Sequence, residues 1–98
     1  MRKTYYTDYA RHCLRFYSRY PNKQVFDTDA EREDYASAYL ALKDCSKYRL
    51  LLIEIYGGRD TLEDNVYNAS KAHEISQDKI WQLMAKVELE VAKARGLK

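Results

Sequence analysis

Glycine, proline and cysteine are scarce in this sequence, with three, one and two residues among 98. A β-rich domain of this size needs many turn residues between its strands, so this composition argues against sheets and favours helices throughout. No apolar run approaches the length needed to span a bilayer, and the N-terminal residues lack the apolar segment of a signal peptide. We therefore expect one all-α domain over residues 1–98, located in the cytoplasm and not in a membrane.

Groups that could carry out catalysis or bind a metal are also few. Cys13 and Cys45 form no CxxC pair, which predicts two small buried residues of a reducing compartment, with a disulfide as the less favoured alternative. His12 and His73 fall on separate predicted helices, and no metal-ligand spacing or catalytic constellation is present. The sequence therefore predicts neither an enzyme nor a bound cofactor or metal.

Charge is distributed unevenly along the chain, although the net charge is only +2. The side chains sum to +5 over residues 1–26, to −5 over residues 27–64 and to +2 over residues 65–98. Two basic ends thus flank an acidic middle. This arrangement is compatible with one basic surface that faces phosphate, and equally with pairing of the ends against the middle.

The first predicted helix extends from Arg2 to about Tyr20, where Pro21 ends it. Its apolar face consists mainly of tyrosines: Tyr6, Tyr9, Cys13, Phe16, Tyr17 and Tyr20. Three arginines follow another face at four-residue steps: Arg11, Arg15 and Arg19. Forked guanidinium groups suit phosphate and carboxylate alike, so these arginines are expected to contact a phosphate backbone, to face solvent, or to pair with the acidic middle.

Two further helices are predicted in the middle of the chain. Thr28 has capping-box spacing with Glu31, and the helix that follows runs to about Asp44 with acidic residues in its first turns. Its predicted buried stripe is Tyr35, Ala38, Tyr39 and Leu42. Ser46 is predicted to cap a third helix that Gly57 closes, although the apolar segment 50–56 also fits a buried strand.

Residues 61–95 have the pattern of two helices joined by a tight turn at Ile75 and Ser76. Thr61, or alternatively Asp60, is expected to cap the first of them. One face of this helix is predicted to contain Leu62, Val66, Ala69 and His73. Ser76 is expected to cap the second helix, which ends at Gly96. The predicted buried stripe of the second helix is Ile80, Leu83, Met84, Val87, Val91 and Ala94.

A polar stripe lies on another side of this last helix. It consists of Lys79, Gln82, Lys86 and Lys93, interrupted by Glu90. Ammonium and amide groups of this kind are what a helix presents to the DNA major groove, but a solvated face of a bundle helix has the same composition.

Residues 75–86, read as ISQDKIWQLMAK, resemble the recognition-helix segment of the region-four domain of bacterial sigma factors, and residues 61–64 resemble the start of its scaffold helix. The whole chain is similar to small sigma-region-four-like proteins of Gram-positive phages and conjugative elements. It differs from the sigma factors in a segment 61–76 that is about one helical turn longer, and in Glu74, which stands where the turn usually has glycine.

The resemblance implies a helix-turn-helix regulator of transcription that binds double-stranded DNA. RNA polymerase or another protein, and a second copy of the chain, are further partners to be expected. By resemblance, Gln77, Lys79, Gln82 and Lys86 face DNA. Arg11, Arg15 or Arg19 are expected, from their own spacing and chemistry, as auxiliary phosphate contacts.

A different class of function is also compatible with the sequence, namely a small helical module that binds a protein partner. The last helix has a second apolar side that includes Trp81, Ala85, Leu89 and Ala92. We expect the large indole of Trp81 to be shielded by the N-terminal helix or by another subunit.

Overall fold

The computed structural model describes residues 5–98, and in this part of the chain it contains helices and no strand. The five α-helices are α1 (Thr7–Arg19), α2 (Asp29–Asp44), α3 (Arg49–Gly57), α4 (Leu62–His73) and α5 (Gln77–Ala94). A short 3-10 turn, Ser46–Tyr48, precedes α3. The predicted all-α bundle is therefore confirmed. Within the described residues, no helix is both long enough and apolar enough to pass through a membrane.

Side-chain caps begin three of the helices, as the sequence predicts. The hydroxyl oxygens of Thr28, Thr61 and Ser76 each accept a hydrogen bond from the backbone N–H three residues further on, at 3.1 to 3.2 Å. Each bond satisfies one of the free N–H groups of a first helical turn. The starts of α2, α4 and α5 are thus determined locally.

The end of α5 is also determined by its own sequence. Gly96 has φ +75°, a left-handed backbone conformation that glycine adopts without steric cost. The Leu97 N–H then donates to the Ala92 carbonyl at 2.8 Å, and the Gly96 N–H donates to the Lys93 carbonyl at 3.1 Å. These two bonds form a Schellman motif, which stops the helix at the predicted position.

The start of the third helix differs from the prediction. Ser46 lies in the 3-10 turn and its hydroxyl caps nothing; α3 begins only at Arg49. The Tyr48 N–H donates to the Cys45 carbonyl at 2.9 Å, so backbone groups satisfy each other where a side-chain cap was expected. The strand alternative for residues 50–56 is wrong, because these residues belong to α3.

Helix α1 is central to the packing, because it contacts α2, α3 and α5. It begins at Thr7, later than expected; the predicted start at Arg2 lies outside the described residues. The largest fully buried side chains of the bundle are Leu14, Tyr17, Leu42, Leu52, Ile55, Tyr56, Val66, Ile80, Met84, Val87 and Val91. They come from all five helices, so the described elements share one core.

The buried faces of α1 and α2 are rotated about the helix axis relative to the predicted faces. On α1 the buried residues include Ala10 and Leu14, whereas Tyr9 and Tyr20 are exposed. On α2, Asp34 and Ala41 are buried, and Tyr39 is exposed. Tyr9, Tyr20 and Tyr39 were predicted on the apolar faces, but the phenol has a polar tip that favours half-exposed positions.

Helices α4 and α5 bury most of the residues that their patterns indicate. Leu62, Val66 and Ala69 of α4 are buried, while His73 is exposed and its Nε2 lies 3.1 Å from the Glu54 carboxylate. On α5 the predicted apolar stripe is buried except for two members: Leu83 is partly buried and Ala94 is exposed. Glu88, which was not expected in the core, is buried.

Candidate nucleic-acid interface

The connection between α4 and α5 is a three-residue turn, residues 74–76. Glu74 has φ 55° and ψ 43°, the left-handed conformation that usually requires glycine. The Ile75 N–H donates to the Ser70 carbonyl at 3.2 Å, and the Ile75 side chain packs against the core. The turn is therefore held both by a backbone bond and by the partly buried Ile75 side chain, which fixes where α5 begins.

Three of the proposed DNA-facing residues lie on the outward side of α5. Lys79, Gln82 and Lys86 are all exposed, and the buried residues of α5 are on the opposite side. Lys93 continues this stripe, and its ammonium group lies 3.8 Å from the Glu90 carboxylate. The exposed row nearest the start of α5 thus contains two ammonium groups and one amide. We call its three residues, Lys79, Gln82 and Lys86, the α5 stripe.

Gln77 is exposed but does not belong to the α5 stripe. Nine residues separate Gln77 from Lys86, which is about two and a half turns, so the two side chains leave the helix on opposite sides. Gln77 is accessible because it is the first residue of α5. The structure therefore groups Lys79, Gln82 and Lys86 and separates Gln77 from them.

A second lysine lies beside the start of α5, on the 3-10 turn. The ammonium groups of Lys47 and Lys79 are 5.4 and 5.6 Å from the centre of the Tyr48 ring. Tyr48 is half-buried and packs against the core, while both lysines are exposed. Lys47 thus adds a second positive charge beside Lys79, at the end of the α5 stripe nearest the start of the helix.

The three arginines of α1 form contacts within the chain. Arg11 Nε donates to Glu88 Oε2 at 2.9 Å, with side-chain exposures of 15% and 6%. Arg15 donates to the carbonyls of Gly58 and Asp60 at 3.1 and 3.3 Å, and Arg19 donates to the Gly58 carbonyl at 3.3 Å. Arg11 therefore lies in the interior, and the other two hold the loop between α3 and α4.

Arg11 lies on the other side of α5 from the α5 stripe. Glu88, the partner of Arg11, is on the buried side of α5, whereas Lys79 and Lys86 are on the exposed side. Burial lowers the pKa of Arg15, and the charge of Arg19 adds to this effect. Arg11 therefore does not join Lys79 in one basic surface.

The guanidinium of Arg11 also covers part of Trp81. Its central carbon lies 5.7 Å from the centre of the indole ring, a cation–π distance. Trp81 is partly buried and packs against the core. Helix α1 thus shields the indole as expected, although only in part.

A second, partly buried charge cluster holds the end of α5, and the sequence patterns did not indicate it. Arg95 donates to Asp34 and to Glu33, both at 2.8 Å, and the Tyr9 hydroxyl donates to Asp34. The bond to Asp34 raises the pKa of Tyr9, and burial adds to the increase. Two carboxylates that were expected only to favour the start of α2 therefore also fix the C-terminal end of α5.

Groups that could bind a metal or act as a nucleophile are few among the described residues. No cluster of three or more His, Cys, Asp or Glu side chains over residues 5–98 could hold a metal ion. Cys13 and Cys45 are free thiols, the first buried and the second half-buried. Burial raises the pKa of Cys13 to about 12, and the Asp34 charge adds to this, so its thiol is a poor nucleophile.

A shallow hollow of about 410 Å³ lies beside α2, away from the α5 stripe. It is lined by aromatic rings, among them Phe26, Tyr35 and Tyr39, and by the cations Lys23 and Arg32. The Tyr35 hydroxyl donates to the Tyr20 carbonyl at 2.6 Å, which ties the hollow to the end of α1.

Comparison of the chain with protein-family models, with curated proteins and with solved structures found no match.

Proposed function

We propose that this protein binds double-stranded DNA through α5 and regulates transcription as a sigma-region-four-like helix-turn-helix protein of a phage or mobile element, in the cytoplasm. The observation that supports the proposal is the α5 stripe. Lys79, Gln82 and Lys86 are exposed on one side of a helix that a capped three-residue turn connects to α4.

The chemistry of the stripe suits the major groove. Lysine donates to guanine O6 and N7, and glutamine forms a paired contact with adenine, each worth about 1–3 kcal/mol of discrimination. A recognition helix enters the groove by its N-terminal half, so Lys79 and Gln82 are proposed to meet base edges. Lys86 is proposed to contact the flanking phosphates. Arg11, Arg15 and Arg19 are proposed to support the domain internally, because their guanidinium groups have partners within the chain.

Titration of the full chain with labelled random-sequence duplex DNA, over a range of salt concentrations, tests the proposal. We expect binding that weakens steeply with salt, because lysines release counterions from phosphate. A Lys79→Ala, Lys86→Ala double variant should lose at least about one unit of the logarithmic salt slope, which is the contribution of the Lys86 phosphate contact. Absence of duplex binding at low salt would reject the proposal.

A second candidate function is the binding of a protein partner, either RNA polymerase or another protein. The aromatic hollow beside α2 supports it, because Phe26, Tyr35 and Tyr39 offer apolar surface between the cations Lys23 and Arg32. A partner segment with an aromatic side chain and acidic neighbours would match this lining. Binding of purified bacterial RNA polymerase to the wild type and to Tyr39→Ala, measured by interferometry, is the corresponding test; equal affinities would exclude the hollow as that site.

A further inference from the structure

Tyr48 holds two ammonium groups that come from different elements of the fold. Lys47 belongs to the 3-10 turn and Lys79 to α5, and their Nζ atoms lie 5.4 and 5.6 Å from the ring centre. The two positive charges are therefore at most about 11 Å apart, and the aromatic face attracts both of them. Tyr48 itself is positioned by its packing against the core.

Neither ammonium group is neutralised inside the described part of the molecule. Over residues 5–98, the ion pairs that form involve other cations, and no carboxylate lies within ion-pair distance of Lys47 or Lys79. Two like charges on one ring repel each other, and this repulsion is relieved when an anion binds between them or beside them.

The orientation of α2 places this cluster at the start of α5. Asp34, near the beginning of α2, contacts Arg95 beyond the end of α5, whereas Tyr48, which follows α2, contacts Lys79 near the start of α5. Helices α2 and α5 are therefore antiparallel. The 3-10 turn consequently flanks the end of α5 that is proposed to enter the groove.

We propose that Lys47, held on the Tyr48 ring beside Lys79, binds the sugar-phosphate backbone of duplex DNA next to the groove that α5 enters. We call Lys47 and Tyr48 the phosphate clamp. This inference rests on the proposed DNA binding and assigns a second element, the 3-10 turn, to the same surface. The clamp contacts phosphate and not base edges, so it adds affinity without sequence preference.

The test compares Lys47→Ala with Lys23→Ala in titrations of random-sequence duplex DNA at several salt concentrations. Lys23 is a matched control, because its ammonium group also lies on an aromatic ring, 5.8 Å from the centre of Phe26. It precedes α2 whereas Lys47 follows it, so the 16-residue helix separates the two positions by about 24 Å. Both variants lose the same net charge.

We expect Lys47→Ala to weaken binding roughly three- to ten-fold at low salt and to reduce the logarithmic salt slope by about one unit, as a lost phosphate contact does. Lys23→Ala should change affinity less than about two-fold. Lys47→Arg should retain wild-type affinity, because the guanidinium also binds phosphate. Circular dichroism confirms that each variant folds.

The outcomes separate the clamp from the proposed function. If Lys47→Ala behaves like Lys23→Ala while Lys86→Ala lowers the salt slope, the clamp is wrong and DNA binding through α5 stands. If the wild type binds no duplex, both proposals fail. If Lys47→Arg binds as weakly as Lys47→Ala, the effect is not a phosphate contact and the clamp is also rejected.

Discussion

Arg11 and Glu88 form an ion pair at 2.9 Å that is almost completely removed from water, although 77 residues separate them along the chain. The Tyr56 hydroxyl donates to the same carboxylate oxygen of Glu88 at 2.7 Å. One carboxylate thus connects α5 to α1 and to α3. Because Glu88 lies on the buried side of α5, these bonds fix which side of α5 faces outward.

Removal of Arg11 should therefore destabilise the fold strongly. Arg11→Met removes the cation that lies 2.9 Å from the buried Glu88 carboxylate, which costs about 3 kcal/mol of unfolding free energy. Arg19→Met is the control, because Arg19 is exposed and donates to the Gly58 carbonyl; its cost should stay below about 1 kcal/mol. Urea unfolding followed by circular dichroism measures both, and equal costs would contradict the role of the buried pair.

The turn between α4 and α5 allows a prediction about backbone strain. Glu74 adopts φ 55°, a backbone conformation that is strained for a residue with a Cβ. Glu74→Gly should therefore raise the free energy of unfolding by about 0.5–1 kcal/mol, although glycine also makes the unfolded chain more flexible. Gly96→Ala is the reciprocal variant, since φ is +75° there and no atom lies within 4 Å of the added Cβ. It should lower stability by about 1 kcal/mol, through the backbone alone. Thermal unfolding measures both, and a less stable Glu74→Gly variant would contradict the strain.

The sequence was most informative where structure is decided locally. The caps at Thr28, Thr61 and Ser76 and the stop at Gly96 involve residues within five positions of one another. All four were predicted, with Asp60 left open as an alternative to Thr61. The exposed side of α5 also followed from helical spacing. These features need no knowledge of the tertiary fold.

Long-range partners could not be predicted in the same way. Glu88 is charged, so its pattern indicates a surface position; the approach of Arg11 and Tyr56 from other helices makes its burial favourable. The same holds for Asp34, which Arg95 neutralises across the bundle. The sequence did not indicate Lys47 as a candidate DNA contact, because its position beside Lys79 depends on the antiparallel packing of α2 and α5.

The buried thiol of Cys13 predicts a loss of stability at alkaline pH. Its pKa rises from 9.0 to about 12 on folding, so above pH 9 the unfolded chain releases a proton that the folded chain retains. Stability therefore falls as pH rises through this range, by up to about 1.4 kcal/mol per pH unit. Urea unfolding between about pH 8 and 10, below the range in which tyrosines dominate, should show about 1 kcal/mol less decline for Cys13→Ala than for the wild type. Identical declines would contradict the raised pKa.

From the burial of Tyr56 we expect a further loss of stability at higher pH. Desolvation, with the charge of Glu88 as the next cause, raises the pKa of Tyr56 well above 10.0, so the folded protein keeps this phenol protonated where the unfolded chain loses the proton. Stability should fall as pH rises above 10, and Tyr56→Phe should reduce that fall by about one proton's contribution, near 1.4 kcal/mol per pH unit. Near neutral pH the same variant should be less stable, because Glu88 loses a hydrogen bond. An unchanged alkaline slope would show that Tyr56 ionises normally.

Sequence preference on DNA should depend on Gln82 and much less on Lys86. Both side chains are exposed on the α5 stripe, but Gln82 is nearer the start of the helix, where a recognition helix meets base edges. Gln82→Ala should relax the preference among duplexes by about 1–3 kcal/mol at the base pair it contacts. Lys86→Ala should weaken all duplexes alike and reduce the salt slope by about one unit.

Selection of preferred duplexes from a random pool, followed by titration of each variant at several salt concentrations, distinguishes these effects. Ala85→Ser is a suitable control, because Ala85 is exposed on the same helix and lies between the two positions in sequence. If Gln82→Ala and Lys86→Ala both bind like this control while remaining folded, the α5 stripe is a solvated face. In that case binding of a protein partner becomes the favoured function, because the exposed lysines would then have no role on DNA.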